Sequence, residues 1–134
     1  MKDFKLTPDM LTLGGVFYPK GYAFIMFASA QAADRVAGEL DGSLGSSADI
    51  MRLSPATVLR EIGKIDGESD VTLPSVGTEG ATVRKYVDLA RLGHCALMIH
   101  VSSDEDAETV MVSARKADFS YAQRYHLLAI EDLE

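Results

Sequence analysis

The 134-residue chain is 47% hydrophobic and 25% charged, the balance of an ordinary globular protein long enough for one domain (1–134) with a real core. Thirteen Lys and Arg face 20 Asp and Glu, a formal net charge of −7. That balance removes the general attraction for phosphate backbones and with it any expectation of DNA binding. No apolar run approaches the ~18 residues of a membrane helix, the start does not read as a signal peptide, and the single Cys95 excludes an internal disulfide framework, so a reduced, cytoplasmic protein is expected.

Residues 1–19 read as an N-terminal arm. Leu11, Leu13, Val16 and Phe17 can pack, while Gly14-Gly15 and Pro19 punctuate it. An edge strand and an irregular cover are both compatible with this stretch. Lys20 to Phe27 then alternates as a strand does: Tyr22, Phe24 and Met26 share one face, and Ala23, Ile25 and Phe27 the other. Ser29 stands at a helix N-cap, before Ala30, Ala33, Val36, Ala37 and Leu40 at helical spacing. Asp41 to Ser47 is a glycine-rich loop, and Asp49 to Leu53 a second strand.

Ser54-Pro55 opens a short helix striped by Val58, Leu59 and Ile62. Residues 66–79 form the longest loop, and Thr78 is placed to cap a helix over about 80–92 that Gly93 stops. Cys95 to Val101 is a strand. Ser103 with Asp106 resembles a capping box and starts a helix over about 104–116. Its acidic first turn accounts for much of the negative charge, because carboxylates suit the positive end of a helix dipole. Tyr121 to Ile130 reads as one long final strand, followed by a solvated tail.

The two outer units, each a strand, a Ser-capped helix and a return strand, look like loose repeats. Two such βαβ units with right-handed crossovers predict an α+β fold, a ferredoxin-like antiparallel four-stranded sheet with an inserted helical pair at 54–93. A doubly wound α/β layer is the alternative. In the first arrangement Cys95, Leu97, Ile99 and Val101 meet the helices. His94, Ala96, Met98 and His100 lie on an open face beside Tyr22, Phe24 and Met26. An apolar face of that size needs a cover. A homodimer through the sheet is the plainest, with the arm, the inserted helices or a ligand as the others.

Lys20-Gly21-Tyr22-Ala23-Phe24-Ile25-Met26-Phe27 resembles the longer RNA-contacting strand of the RNA-recognition-motif family. The resemblance implies single-stranded RNA binding, with Tyr22 and Phe24 stacking on bases and Lys20 on phosphate. The neighbouring strand has Met98 where that family places another aromatic. More diffusely, the first strand with its Ala-rich helix, Leu73 to Lys85 and Gln123 to Leu133 are similar to small uncharacterised bacterial ferredoxin-like proteins, some grouped with general stress proteins. That likeness implies a cytoplasmic protein without established catalysis.

Among side chains with chemistry, His94 and His100 lie six residues apart on one strand, about 20 Å, too far to share a metal. His100 and His126 can meet, but no third ligand is identifiable, so no metal or cofactor is expected. Cys95 alternates with Leu97 and Ile99 as a packed, inert thiol. Gly77, Thr78 and Gly80 precede or open a helix bearing Arg84, an arrangement whose free N–H groups can hold an anion. Arg124 and His126 belong to a polar set that rims the sheet. The leading expectation is a non-catalytic, dimeric binding or regulatory module that uses Lys20, Tyr22, Phe24, Met98, His100, Arg124 and His126. The alternatives are a single-stranded RNA-binding domain, and a small-ligand enzyme with an anion site at residues 77–85.

Overall fold

Tyr22–Phe27 (β2) lies in the middle of the sheet because both of its faces are apolar and both of its edges are paired. The computed structural model describes residues 2–11, 16–43, 50–63, 77–127 and 129–134. In chain order the other strands are Lys2–Asp3 (β1), Ile50–Leu53 (β3), Cys95–His100 (β4), Tyr121–Tyr125 (β5) and Ile130–Asp132 (β6). They form one six-stranded sheet in the order β1-β3-β4-β2-β5-β6. Adjacent strands are antiparallel except β1 and β3, which run parallel.

The sheet therefore has two strands more than the four expected. The arm supplies one, β1, at one edge. The other comes from the stretch read as a single final strand, which turns after Tyr125 and returns as β6, pairing Tyr125 with Ile130 and Gln123 with Asp132. Glu131 and Asp132 thus belong to the sheet and not to a solvated tail. The strand period continues through a two-strand hairpin as it would through one long strand, so alternation alone does not mark the turn.

The helices are Ala30–Ser43 (α1), Pro55–Thr57 (α2), Gly77–Arg91 (α3) and Asp104–Lys116 (α4), with a π-helical turn over Val58–Ile62. Three of their starts are held by the serines that mark them in the sequence. Ser29 Oγ accepts from Ala32 N at 3.1 Å, Ser54 Oγ from Thr57 N at 3.2 Å, and Ser103 Oγ from Asp106 N at 3.1 Å. The capping box at α4 is shifted by one residue: Asp106 accepts from the backbone and hydroxyl of Ser102. Gly93, after α3, has φ +94°, a left-handed conformation that favours glycine. The helix expected from about residue 80 begins at Gly77, which puts Thr78 inside α3 and not at its cap. The remainder of the loop expected over 66–79 lies outside the described residues.

The register bears out the predicted sharing of faces. Phe24 faces Met98 across one edge and Gln123 across the other, while Ile25 faces Leu97 and Ala122. On the Ile25 face, α1 and α4 pack Ala33, Val36, Ala37, Leu40, Val110, Met111 and Ala114 onto Ala23, Phe27, Leu97 and Ile99. The Phe24 face is also covered. Val83, Tyr86, Val87 and Ala90 of α3 lie there with Val58, Ile62 and the arm residues Met10, Phe17 and Tyr18. Among the described residues both faces of the sheet are covered, which makes it the middle layer of three. Among the described residues, no helix is long and apolar enough to cross a membrane.

Candidate ligand cleft

The expected aromatic platform is divided by this covering layer. Phe24 has 0% exposure, with Tyr86 tilted over it at 4.1 Å between centroids and Phe17 edge-on at 5.6 Å. Met98 is fully buried beside it. A base that stacks on Phe24, or a second copy docked on this face, would have to displace α3. Tyr22 stays half-buried at the end of the strand, its ring edge-on to the exposed His100 at 5.4 Å and 82°.

A different grouping of the candidate residues lies at the end of the sheet where β2 begins and β4 and β5 finish. Gly21 makes it. At φ +86° its N–H donates to Tyr125 O at 2.9 Å, and its carbonyl accepts from Val101 N at 2.9 Å. One left-handed residue thus ties the entry of β2 to the exits of both neighbours, a conformation for which glycine is suited. Around it opens a cleft of about 380 Å³, lined by Lys20, Gly21, Val101, Arg124, Tyr125, His126 and Leu127. Three of the expected ligand residues, Lys20, Arg124 and His126, meet here from two distant parts of the chain.

Their surroundings differ. Lys20 is exposed. His126 Nε2 is 2.8 Å from Glu131 Oε1, and its carbonyl accepts from the Tyr18 hydroxyl at 2.8 Å, so the arm helps fix this wall. Arg124 points to the α1–α4 face and is nearly enclosed, its side chain 11% exposed. Its Nη1 donates to Asp104 Oδ1 at 2.7 Å, while that aspartate is 97% exposed. Asp104 is the one acceptor that Arg124 meets among the described residues, which leaves the remaining guanidinium donors without a protein partner. Among the described residues the lining holds no carboxylate, although Asp104 and Glu131 bind two of its side chains.

Arg124 also borders a second cleft, about 370 Å³, between α4 and β6. There Arg115 is already saturated, donating to Glu108 at 2.8 Å and to the carbonyl of Glu134 at 2.9 and 2.7 Å. The Arg115 hydrogen bond holds the Glu108 carboxyl below its ordinary range. This second cleft is a site of internal ion pairs more than of unused donors.

The other candidates are apart from the sheet-end cleft. Gly77 opens α3 with Thr78 behind it. Gly80 is buried in the first turns and Arg84 is exposed, and neither of these two lines the cleft. His94 lies at the far end of β4, where its Nδ1 is 2.8 Å from Ser120 Oγ. Cys95 donates to Ser29 O at 3.3 Å, and burial pushes its thiol up from the ordinary range, away from the reactive thiolate. Among the described residues no three His, Cys, Asp or Glu side chains gather to hold a metal ion.

Sequence reasoning missed Gly21 as the organising residue and Asp104 as the partner of Arg124. The glycine could have been found, since it stands directly before the strand, where a turn must begin. The aspartate could not, since its pairing crosses from α4 to β5. No protein-family model matches this chain, and no curated protein or solved structure matches it either.

Proposed function

We propose that this chain is a non-catalytic binding module on a ferredoxin-like sheet, and that it takes a small anion in the cleft around Gly21. The order β3-β4-β2-β5 supports the first part. Each βαβ unit, β2-α1-β3 and β4-α4-β5, brackets a strand of the other, as the two-repeat reading requires. Arg124 carries the second part: a nearly enclosed guanidinium, paired with Asp104 alone among the described residues, on a residue that lines the cleft with Lys20 and His126. The planar fork of a guanidinium matches carboxylate and phosphate oxygens. Locally Lys20 and Arg124 bring positive charge to this cleft, partly offset by Asp104 and Glu131, on a chain of net charge −7.

The test is calorimetric titration with inorganic phosphate and with citrate at fixed ionic strength, on the wild type, Lys20→Ala and Arg124→Lys. Lys20→Ala is expected to weaken binding about tenfold, the scale of one charge-assisted hydrogen bond. Arg124→Lys keeps the charge, removes the fork, and is expected to weaken it at least as much, with circular dichroism checking the fold. Affinities that do not move in either variant would overturn the reading. A labelled single-stranded RNA run alongside should gain nothing from Phe24, and light scattering reports whether the protein is a dimer.

A further inference from the structure

Carboxylates, lysine and arginine ordinarily hold their charge between about pH 5.5 and 8, whereas imidazole does not. His126 is the imidazole among the residues that line the cleft. Three contacts place it. Its backbone N–H donates to Ala129 O at 2.9 Å, its carbonyl accepts from the Tyr18 hydroxyl at 2.8 Å, and its ring Nε2 lies 2.8 Å from Glu131 Oε1. An ionised glutamate only accepts, so in the neutral ring the proton sits on Nε2, and Nδ1 is an acceptor. Such a ring offers an oxyanion no donor. Protonation reverses this: Nδ1 becomes a donor, and the ring brings a third positive charge to the residues that already include Lys20 and Arg124.

We infer that the cleft takes up its anion together with a proton carried by His126, so that occupancy of the site rises as pH falls. This step rests on the anion reading above. The charged and titratable groups about the ring are Glu131 from β6, Arg124 from β5 with Asp104 of α4 behind it, Lys20 ahead of β2 and the Tyr18 hydroxyl from the arm. An anion among them offsets the repulsion between the imidazolium and the two other cations. The imidazolium then bridges Glu131 and the anion. With the cleft empty it has Glu131 alone, and that pair is well solvated, with side chains 40% and 52% exposed, and therefore weak. A second imidazole, His100, lies on the other side of Gly21, where a Cβ would stand 3.7 Å from its Nε2, but it is not part of the lining.

Sulfate is the probe, because it remains a dianion throughout and adds no titration of its own. In calorimetry at fixed ionic strength it is expected to bind about tenfold more tightly at about pH 6 than at about pH 8, the scale of one added charge-assisted contact. Titrations at about pH 7 in two buffers of different ionisation enthalpy should show uptake of up to about one proton per sulfate. His126→Gln keeps a neutral donor for Glu131 and should lose both the pH dependence and the proton uptake, whereas His100→Gln should retain them. In the wild type, sulfate should move the His126 ring proton resonances toward their imidazolium positions and leave those of His94, at the far end of β4, in place. Sulfate binding with no proton uptake, or a pH dependence that persists in His126→Gln, would overturn the linkage and leave the anion site standing. Absence of sulfate binding at either pH would overturn the anion reading itself.

Discussion

The two faces of the sheet are closed in opposite ways. The α1–α4 face is small and aliphatic: alanines at helical spacing let two helices lie close on Ile25, Leu97 and Ile99. The α3 face is aromatic, with Phe17, Tyr18, Phe24, Tyr86 and Tyr125 meeting mostly edge-on at 4.1 to 6.1 Å. Buried hydroxyls separate them further. On the aromatic side Tyr86 and Tyr125 share a hydrogen bond at 2.8 Å. Burial pushes the Tyr86 phenol well above its ordinary range, so its hydroxyl stays protonated at neutral pH. In α4, Ser113 Oγ is buried with no partner among the described residues. One core is held by shape and paired polar atoms, the other by close approach with one polar atom left over.

Truncation gives the largest contrast. Phe24→Ala, which empties the centre of the aromatic layer, is expected to cost about 3–5 kcal/mol, against about 0.5–1.5 for Ile25→Val on the other face, both read from urea unfolding. If Phe24→Ala costs under about 1 kcal/mol, α3 does not pack on the sheet as described. Next comes the hydroxyl pair. Tyr125→Phe takes away the partner of the buried Tyr86 hydroxyl and is expected to cost about 1–3 kcal/mol. Adding Tyr86→Phe should recover part of that loss, and a strictly additive double mutant would dissolve the pair. Smallest, and opposite in sign, is Ser113→Ala. Removing an unpartnered buried hydroxyl from a helix and adding the best helix former should raise stability by about 1 kcal/mol. A loss would mean that the hydroxyl has a partner.

The contrast also marks how far the chain could be read without coordinates. The aliphatic face was largely legible, with Ala30 of the expected stripe exposed, because α1 and α4 follow strands directly, begin at serine caps, and repeat alanine and valine on one side. The identity of the second face was equally legible: Tyr22, Phe24, Met26 and Met98 do share it. What covers it was not. An aromatic strand face looks the same whether it meets a nucleic acid, another subunit or its own helix, and the choice falls to α3, whose stripe of Val83, Tyr86, Val87 and Ala90 carries no address. The cleft was half legible. Lys20, Arg124 and His126 were each singled out, but their meeting depends on β2 lying next to β5, a pairing across most of the chain. The turn that makes β6 from the supposed end of β5 was hidden by an unbroken alternation.

The position of β2 also governs how the protein is made. It is synthesised before either of its neighbours in the sheet, β4 and β5, and its first return strand, β3, is not one of them. On the ribosome the apolar segment from Tyr22 to Phe27 therefore waits with both edges unpaired until β4 appears, and with one edge unpaired until β5 follows. Pairings this distant along the chain are slow to form, and a waiting apolar strand is open to pairing with other nascent chains. Until β5 emerges, the segment that ends as the most enclosed strand of the sheet is the stretch most in need of a chaperone.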